Sequence, residues 1–75
     1  MKTMTCKQLG GACDQAFTAA TFEEIAAQSK QHGMEMFKAG DADHLQAMSA
    51  MRELMHEDGA MEKWMDEKRQ IFEAL

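Results

Sequence analysis

The hydrophobic pattern changes its period once along the chain. From Met1 to Cys6 apolar and polar positions alternate, with Met4 and Cys6 on one side and Thr3 and Thr5 on the other. A period of two belongs to a half-buried strand. Lys7-Gln8-Leu9-Gly10-Gly11-Ala12 follows, and its Gly-Gly pair marks a turn. Cys13 to Ala19, with Phe17 and Thr18, is expected to return as a second strand, so residues 1–20 read as a β-hairpin.

From residue 21 onward the period is helical. Thr21 can accept the amide of the third helical residue, and Glu24 can reach back to the amide of Thr21, the spacing of a capping box. Glu23 and Glu24 meet the positive end of the helix dipole and Lys38 its negative end. Phe22, Ile25, Ala26, Ser29, Met36 and Phe37 form the expected inner stripe of a helix over 21–39, which Gly40 is placed to stop. Gly33, which weakens a helix interior by about 1 kcal/mol relative to Ala, marks either a close backbone contact or a kink. A second helix over 41–57 opens on Asp41 as its cap and carries Leu45, Met48, Met51 and Met55 along one face. A third, over 59–75, carries Met61, Trp64, Met65, Ile71, Phe72 and Leu75, interrupted by Lys68. Between them, either Gly59 closes the second helix or Asp58 caps the third. The expected fold class is α+β and mostly helical: one small domain in which an N-terminal β-hairpin packs against three α-helices.

Composition adds a constraint on stability and on partners. With 45% hydrophobic and 28% charged residues, the 75-residue chain has the make-up of a folded domain. A chain of this size buries only about 60% of its unfolded surface, so a metal, a protein partner or a second copy would add needed stability. The net charge of −5 repels phosphates, and nucleic acid is not an expected ligand. No apolar run approaches the roughly 18 residues of a membrane span, and no secretory signal follows Lys2. The expectation is no membrane and a cytoplasmic address, where a cysteine pair stays reduced.

The stretch Met1-Lys2-x-Met4-x-Cys6-x-x-Leu9-Gly10-x-x-Cys13-Asp14, followed by Thr21-x-Glu23-Glu24 and His32, resembles an uncharacterised family of short prokaryotic proteins. That family is a domain of unknown function with an N-terminal Cys-x-x-Leu-Gly-x-x-Cys motif. The likeness covers residues 1–38. Family members often carry a second histidine about one helical turn after the first, where this chain has Met36. The resemblance implies a fold and a motif, not an activity.

Cys6 and Cys13 are too far apart in sequence for a Cys-x₂₋₄-Cys metal knuckle or a redox Cys-x-x-Cys. Strand pairing in a hairpin can nevertheless bring them together. Four readings stay open: two small buried hydrophobes, the common fate of free cysteine; a reversible disulfide, if the α-carbons come within about 7 Å; two metal ligands; or a lone catalytic thiolate. His32 shares a row with Ile25, Ser29 and Met36, and His44 one with Met48, Met51 and Met55, so both rings are expected to face inward. Cys6, Cys13, His32 and His44 thus form a candidate four-ligand set of the type zinc accepts. Their spacing matches no known finger, and a pair of hydrogen-bonded imidazoles is the commoner outcome. His56 is expected to be exposed.

Nine methionines could suit copper(I). Most lie where core side chains are needed, however, and gap filling or an adaptable protein-contact face accounts for them. The Leu9-Gly10-Gly11 loop lacks the lysine and hydroxyl of a phosphate loop and reads as a plain turn. Trp64 reads as the anchor of the third helix, Lys68 as a core-edge residue with its ammonium in water, and Glu62, Asp66, Glu67 and Glu73 as a solvated face. No serine, histidine and acid grouping assembles, so no catalytic residue is assigned. The functional expectation is a non-enzymatic binding module that self-associates or meets a protein partner. The alternative is a Cys/His thiol protein that binds zinc or undergoes reversible thiol exchange.

Overall fold

In the computed structural model, which describes residues 1–75, the chain forms β1 (Lys2–Thr5), a single 3-10 turn (Lys7–Leu9), β2 (Ala16–Ala19), α1 (Phe22–Ala39), α2 (Ala42–Leu54) and α3 (Ala60–Ala74). The class is α+β and mostly helical, an N-terminal antiparallel hairpin packed against three helices. Met4 pairs with Phe17, which puts two apolar side chains on the inner face. Thr3 pairs with Thr18, and their hydroxyls meet at 2.9 Å on the outer face.

The return strand is shorter than the expected stretch from Cys13, because it starts only at Ala16. Pairing continues past the strands through Cys6 N–H, which donates to the Gln15 carbonyl at 2.8 Å. It then skips a residue, and Lys7 N–H donates to the Cys13 carbonyl at 3.0 Å. The connection is therefore an irregular loop and not a tight Gly-Gly turn. Gly10 closes its 3-10 turn in the left-handed region, φ 91°, with its N–H donating to the Lys7 carbonyl. A side chain there would press on Met51 and Trp64.

Helix α1 starts as its cap requires. Thr21 Oγ1 accepts Glu24 N–H at 3.2 Å and donates to the Glu24 carboxylate at 3.1 Å. Glu24 thus engages the Thr21 hydroxyl where the capping-box reading has it reach the backbone amide. Gly40 ends the helix with φ 72°: its N–H bonds the Phe37 carbonyl and Asp41 N–H bonds the Met36 carbonyl, the paired bonds of a Schellman stop. The helix runs unbroken through Gly33. There the Met48 methyl of α2 lies 3.6 Å from where a Cβ would sit, an ordinary contact that an alanine would also accept. Helix α2 is shorter than 41–57. Met55 and His56 N–H groups fold back onto the Met51 and Glu53 carbonyls. Gly59, at φ 78°, redirects the chain into α3 without a side-chain cap. Neither alternative for Gly59 and Asp58 describes that junction.

The core consists of Met4, Cys6, Leu9, Phe17, Ala19, Phe22, Ile25 and Phe72. Phe22 and Phe72 meet edge to face with centroids 6.1 Å apart, joining α1 to α3. Two expectations fail at the periphery. Phe37 belongs to the expected α1 stripe but is 60% exposed. On α3, Met61 is 61% exposed, Ile71 and Leu75 are exposed, and Trp64 is only half-buried. With extents of 31 × 29 × 15 Å the molecule is a slab, and these positions lie outside its small core. The same geometry leaves Met4 as the one fully buried methionine. No helix is long and apolar enough to cross a membrane.

Candidate metal centre

Three segments bring four donor side chains to one corner. Cys6 directly follows β1 and opens the 3-10 turn, with 3% of its surface exposed. Gly11 folds over it: Gly11 N–H donates to the Cys6 carbonyl at 2.8 Å, and a Cβ on Gly11 would collide with the Cys6 sulfur. Glycine at that position gives the sulfur its space. Cys13 lies half-buried on the far limb of the loop. His32 projects from the middle of α1 and His44 from the first turn of α2. His44 is 5% exposed, the only polar or charged residue among the buried ones.

The Nε2 atom of His44 is 3.6 Å from Cys6 Sγ, and that of His32 is 3.2 Å from Cys13 Sγ. The two rings meet edge-on, with centroids 5.2 Å apart. Phe17 packs edge-on against His32 at 5.6 Å and walls that side with hydrocarbon. All four donor atoms lie within 4.8 Å of one another. In a tetrahedral zinc site, with Zn–S about 2.3 Å and Zn–N about 2.0–2.1 Å, neighbouring donors stand about 3.3–3.8 Å apart. The observed separations are those of a donor set that needs only side-chain adjustment to close on an ion.

A fifth residue orients the set. Asp41 Oδ2 accepts His44 Nδ1–H at 2.6 Å and His44 backbone N–H at 3.0 Å. The first bond favours a proton on Nδ1, and in the neutral ring that leaves the Nε2 lone pair free on the side of Cys6 Sγ. This is the carboxylate–histidine arrangement that supports metal-bound imidazoles. The pair also perturbs both pKa values. His44 is raised above its ordinary value, first by the Asp41 hydrogen bond; burial opposes this, and the neighbouring Cys13 sulfur adds a smaller push upward. Asp41 is lowered, chiefly by the ring and backbone hydrogen bonds from His44.

The chain matches no known family model, no curated protein and no solved structure.

The four candidate ligands are therefore brought together as a cluster that could hold a metal ion. The cysteines are free thiols. What joins them is the irregular loop, because Cys13 lies outside β2 and is not paired strand to strand with Cys6. His56, just past the end of α2, is exposed as expected and is not among the four clustered donors. Of the methionines, Met48 and Met51 line a cavity of about 230 Å³ beside Cys6 and His44, along with Gly10 and Gly11. In the sequence, Asp41 reads only as a helix cap. Its second role was readable from spacing: a cap residue bonds the amide three positions on, and when that position is histidine the ring lies within reach of the same carboxylate. Gly11 left no comparable signal, since its need arises from a contact with Cys6 made by the loop's path.

Proposed function

We propose that this protein is a small non-enzymatic metal-binding domain in which Cys6, Cys13, His32 and His44 hold one zinc ion. The observation that carries the reading is the convergence of two sulfurs and two Nε2 atoms within 4.8 Å, with Asp41 behind one imidazole. Two thiolates and two imidazoles in a tetrahedron form a closed structural site, with no position left for a substrate. The ion would tie the Cys6–Cys13 loop to α1 and α2, adding to the contact of Met48 with Gly33 and the edge-on meeting of the two rings. The Cys-x-x-Leu-Gly-x-x-Cys stretch supplies half of the donors, so chains that share it would share that half-site. Elemental analysis of untagged protein purified without chelator is the test. One zinc per chain, lost in Cys13→Ser and in His32→Ala, is expected. Metal-free protein that stays metal-free and folded in excess zinc would sink the idea.

A second reading, self-association, is favoured by the surface of α1. Exposed Met34 and Phe37, with Met48 of α2, line an open apolar groove of about 590 Å³ flanked by Lys30 and Lys38. The α3 helix of a second copy has complementary chemistry, with exposed Met61 beside Glu62, Asp66 and Glu67. Light scattering tests it: a dimer that Phe37→Asp disperses is expected, and a monomer at all micromolar concentrations contradicts it.

A further inference from the structure

The sulfurs of Cys6 and Cys13 are free and no more than 4.8 Å apart. A disulfide needs about 2.05 Å between sulfurs and α-carbons within about 7 Å. Both cysteines lie on one loop whose limbs are already hydrogen-bonded side by side, Cys6 N–H to the Gln15 carbonyl and Lys7 N–H to the Cys13 carbonyl. The 3.0 Å bond from Lys7 N–H to the Cys13 carbonyl holds the two cysteine backbones next to each other, so the approach of the sulfurs is a movement within the loop. The histidines, in contrast, are carried by α1 and α2 and not by the loop. Cys13, half-buried at the surface, is the thiol a small oxidant meets first, and buried Cys6 lines the cavity of about 230 Å³ between Gly10, Gly11 and Met48.

We infer that the centre is a peroxide-responsive switch, in which hydrogen peroxide joins Cys6 to Cys13 as a disulfide and the zinc ion leaves. The inference rests on the zinc reading above. One thiolate sulfur attacks a peroxide oxygen; an S–O bond forms, the O–O bond breaks and hydroxide departs, leaving a sulfenic acid. The second thiolate attacks that sulfur; the S–S bond forms, the S–O bond breaks and a second hydroxide departs. Two thiolates and one peroxide become one disulfide and two hydroxides. The sulfurs give up two electrons and the peroxide oxygens take them. Zinc is left with two neutral imidazoles in place of four ligands and is released. The disulfide would replace the metal's ties from the loop to α1 and α2 with a bond inside the loop.

The full-length chain, first loaded with zinc and shown by elemental analysis to hold it, is treated with hydrogen peroxide beside a chromogenic zinc chelator. Intact mass and thiol alkylation are followed in parallel. The expected result is one zinc released per intramolecular disulfide, with both thiols lost in step and the mass lowered by two hydrogens. Dithiothreitol and zinc should then restore the starting state. Zinc retained with both thiols still alkylatable overturns the switch and leaves the zinc reading standing. Zinc lost through sulfinic acid or chain-to-chain disulfides overturns it as well. A chain that takes up no zinc in the first step fails the metal reading itself, and the switch with it. Wild-type protein serves throughout, so no outcome depends on whether a cysteine variant folds.

Discussion

The corner where the Cys6–Cys13 loop meets α1 and α2, and the edge where α3 lies against β1, are held by opposite means. At the corner, sulfur, imidazole and carboxylate groups converge, and buried His44 has its ring nitrogens within reach of Asp41 and Cys6. At the edge, hydrocarbon and surface charge serve instead. Phe72 is the one buried residue of α3, supported by Phe22. Arg69 donates to Glu23 at 2.6 Å, and Lys2 Nζ donates to the Glu73 carbonyl at 3.0 Å. Yet α3 carries the most regular apolar stripe in the sequence. The contrast separates two quantities that a stripe confounds. Periodicity fixes which side of a helix faces its neighbours, but the amount buried depends on how much neighbour there is. In a slab 15 Å thick there is little.

The contrast can be broken most forcefully at Phe72. Phe72→Ala should cost about 3–5 kcal/mol, the usual loss for a fully buried phenylalanine, a large share of the stability of a domain this size. Urea unfolding should show that loss with and without zinc, because the edge and the corner share no ligand. A stability loss that zinc cancels entirely would mean the two regions are one unit.

Next in size is Asp41→Asn, which keeps a competent helix cap but weakens the acceptor behind His44. Zinc affinity should fall about 10- to 100-fold, the usual effect of losing such a supporting group, read by competition with a chelator of known affinity. Unchanged affinity would reduce Asp41 to a cap. The pair also sets a pH signature in the metal-free protein. His44 has its raised pKa only when folded, so its stabilising contribution is full below the unfolded value of about 6.5 and is lost as pH rises through the folded value. Asp41 is lowered by folding, so its contribution is full above about 3.9 and is lost as pH falls through its folded value. Metal-free stability should therefore draw most on the pair between about pH 4 and 6.5. Zinc, which needs the neutral ring, should favour higher pH. Thermal melts across pH, with and without Asp41→Asn, check both slopes; a variant with the wild-type profile contradicts them.

The smallest effect belongs to the exposed end of α3. Met61→Ala and Leu75→Ala should each stay within about 0.5 kcal/mol of wild type, as surface substitutions do. A larger loss at Met61 that depends on protein concentration would instead locate a contact between copies.

What the sequence made legible follows from these same distinctions. The hairpin, the Thr21 and Asp41 caps and the Gly40 stop are local events, set by residues within a few positions of one another. The candidate ligands were readable because His32 and His44 each fall on the inward row of an amphipathic helix. The loop that delivers Cys13 was not readable, since its path depends on the 3-10 turn and on the bond from Lys7 N–H to the Cys13 carbonyl. Nor was the exposure of Phe37 and Met61, because that depends on which elements pack beside each position and not on the helix that carries it.

The claim on which the rest depends is that two sulfurs and two imidazole nitrogens close on one ion. Cobalt(II) titration followed by absorption spectroscopy tests it most directly, since the spectrum reports coordination number and thiolate ligation together. The account expects a one-to-one endpoint, the strong visible bands of tetrahedral cobalt with thiolate charge transfer in the ultraviolet, and complete displacement by one equivalent of zinc. A weak, featureless octahedral spectrum that zinc does not alter would contradict it.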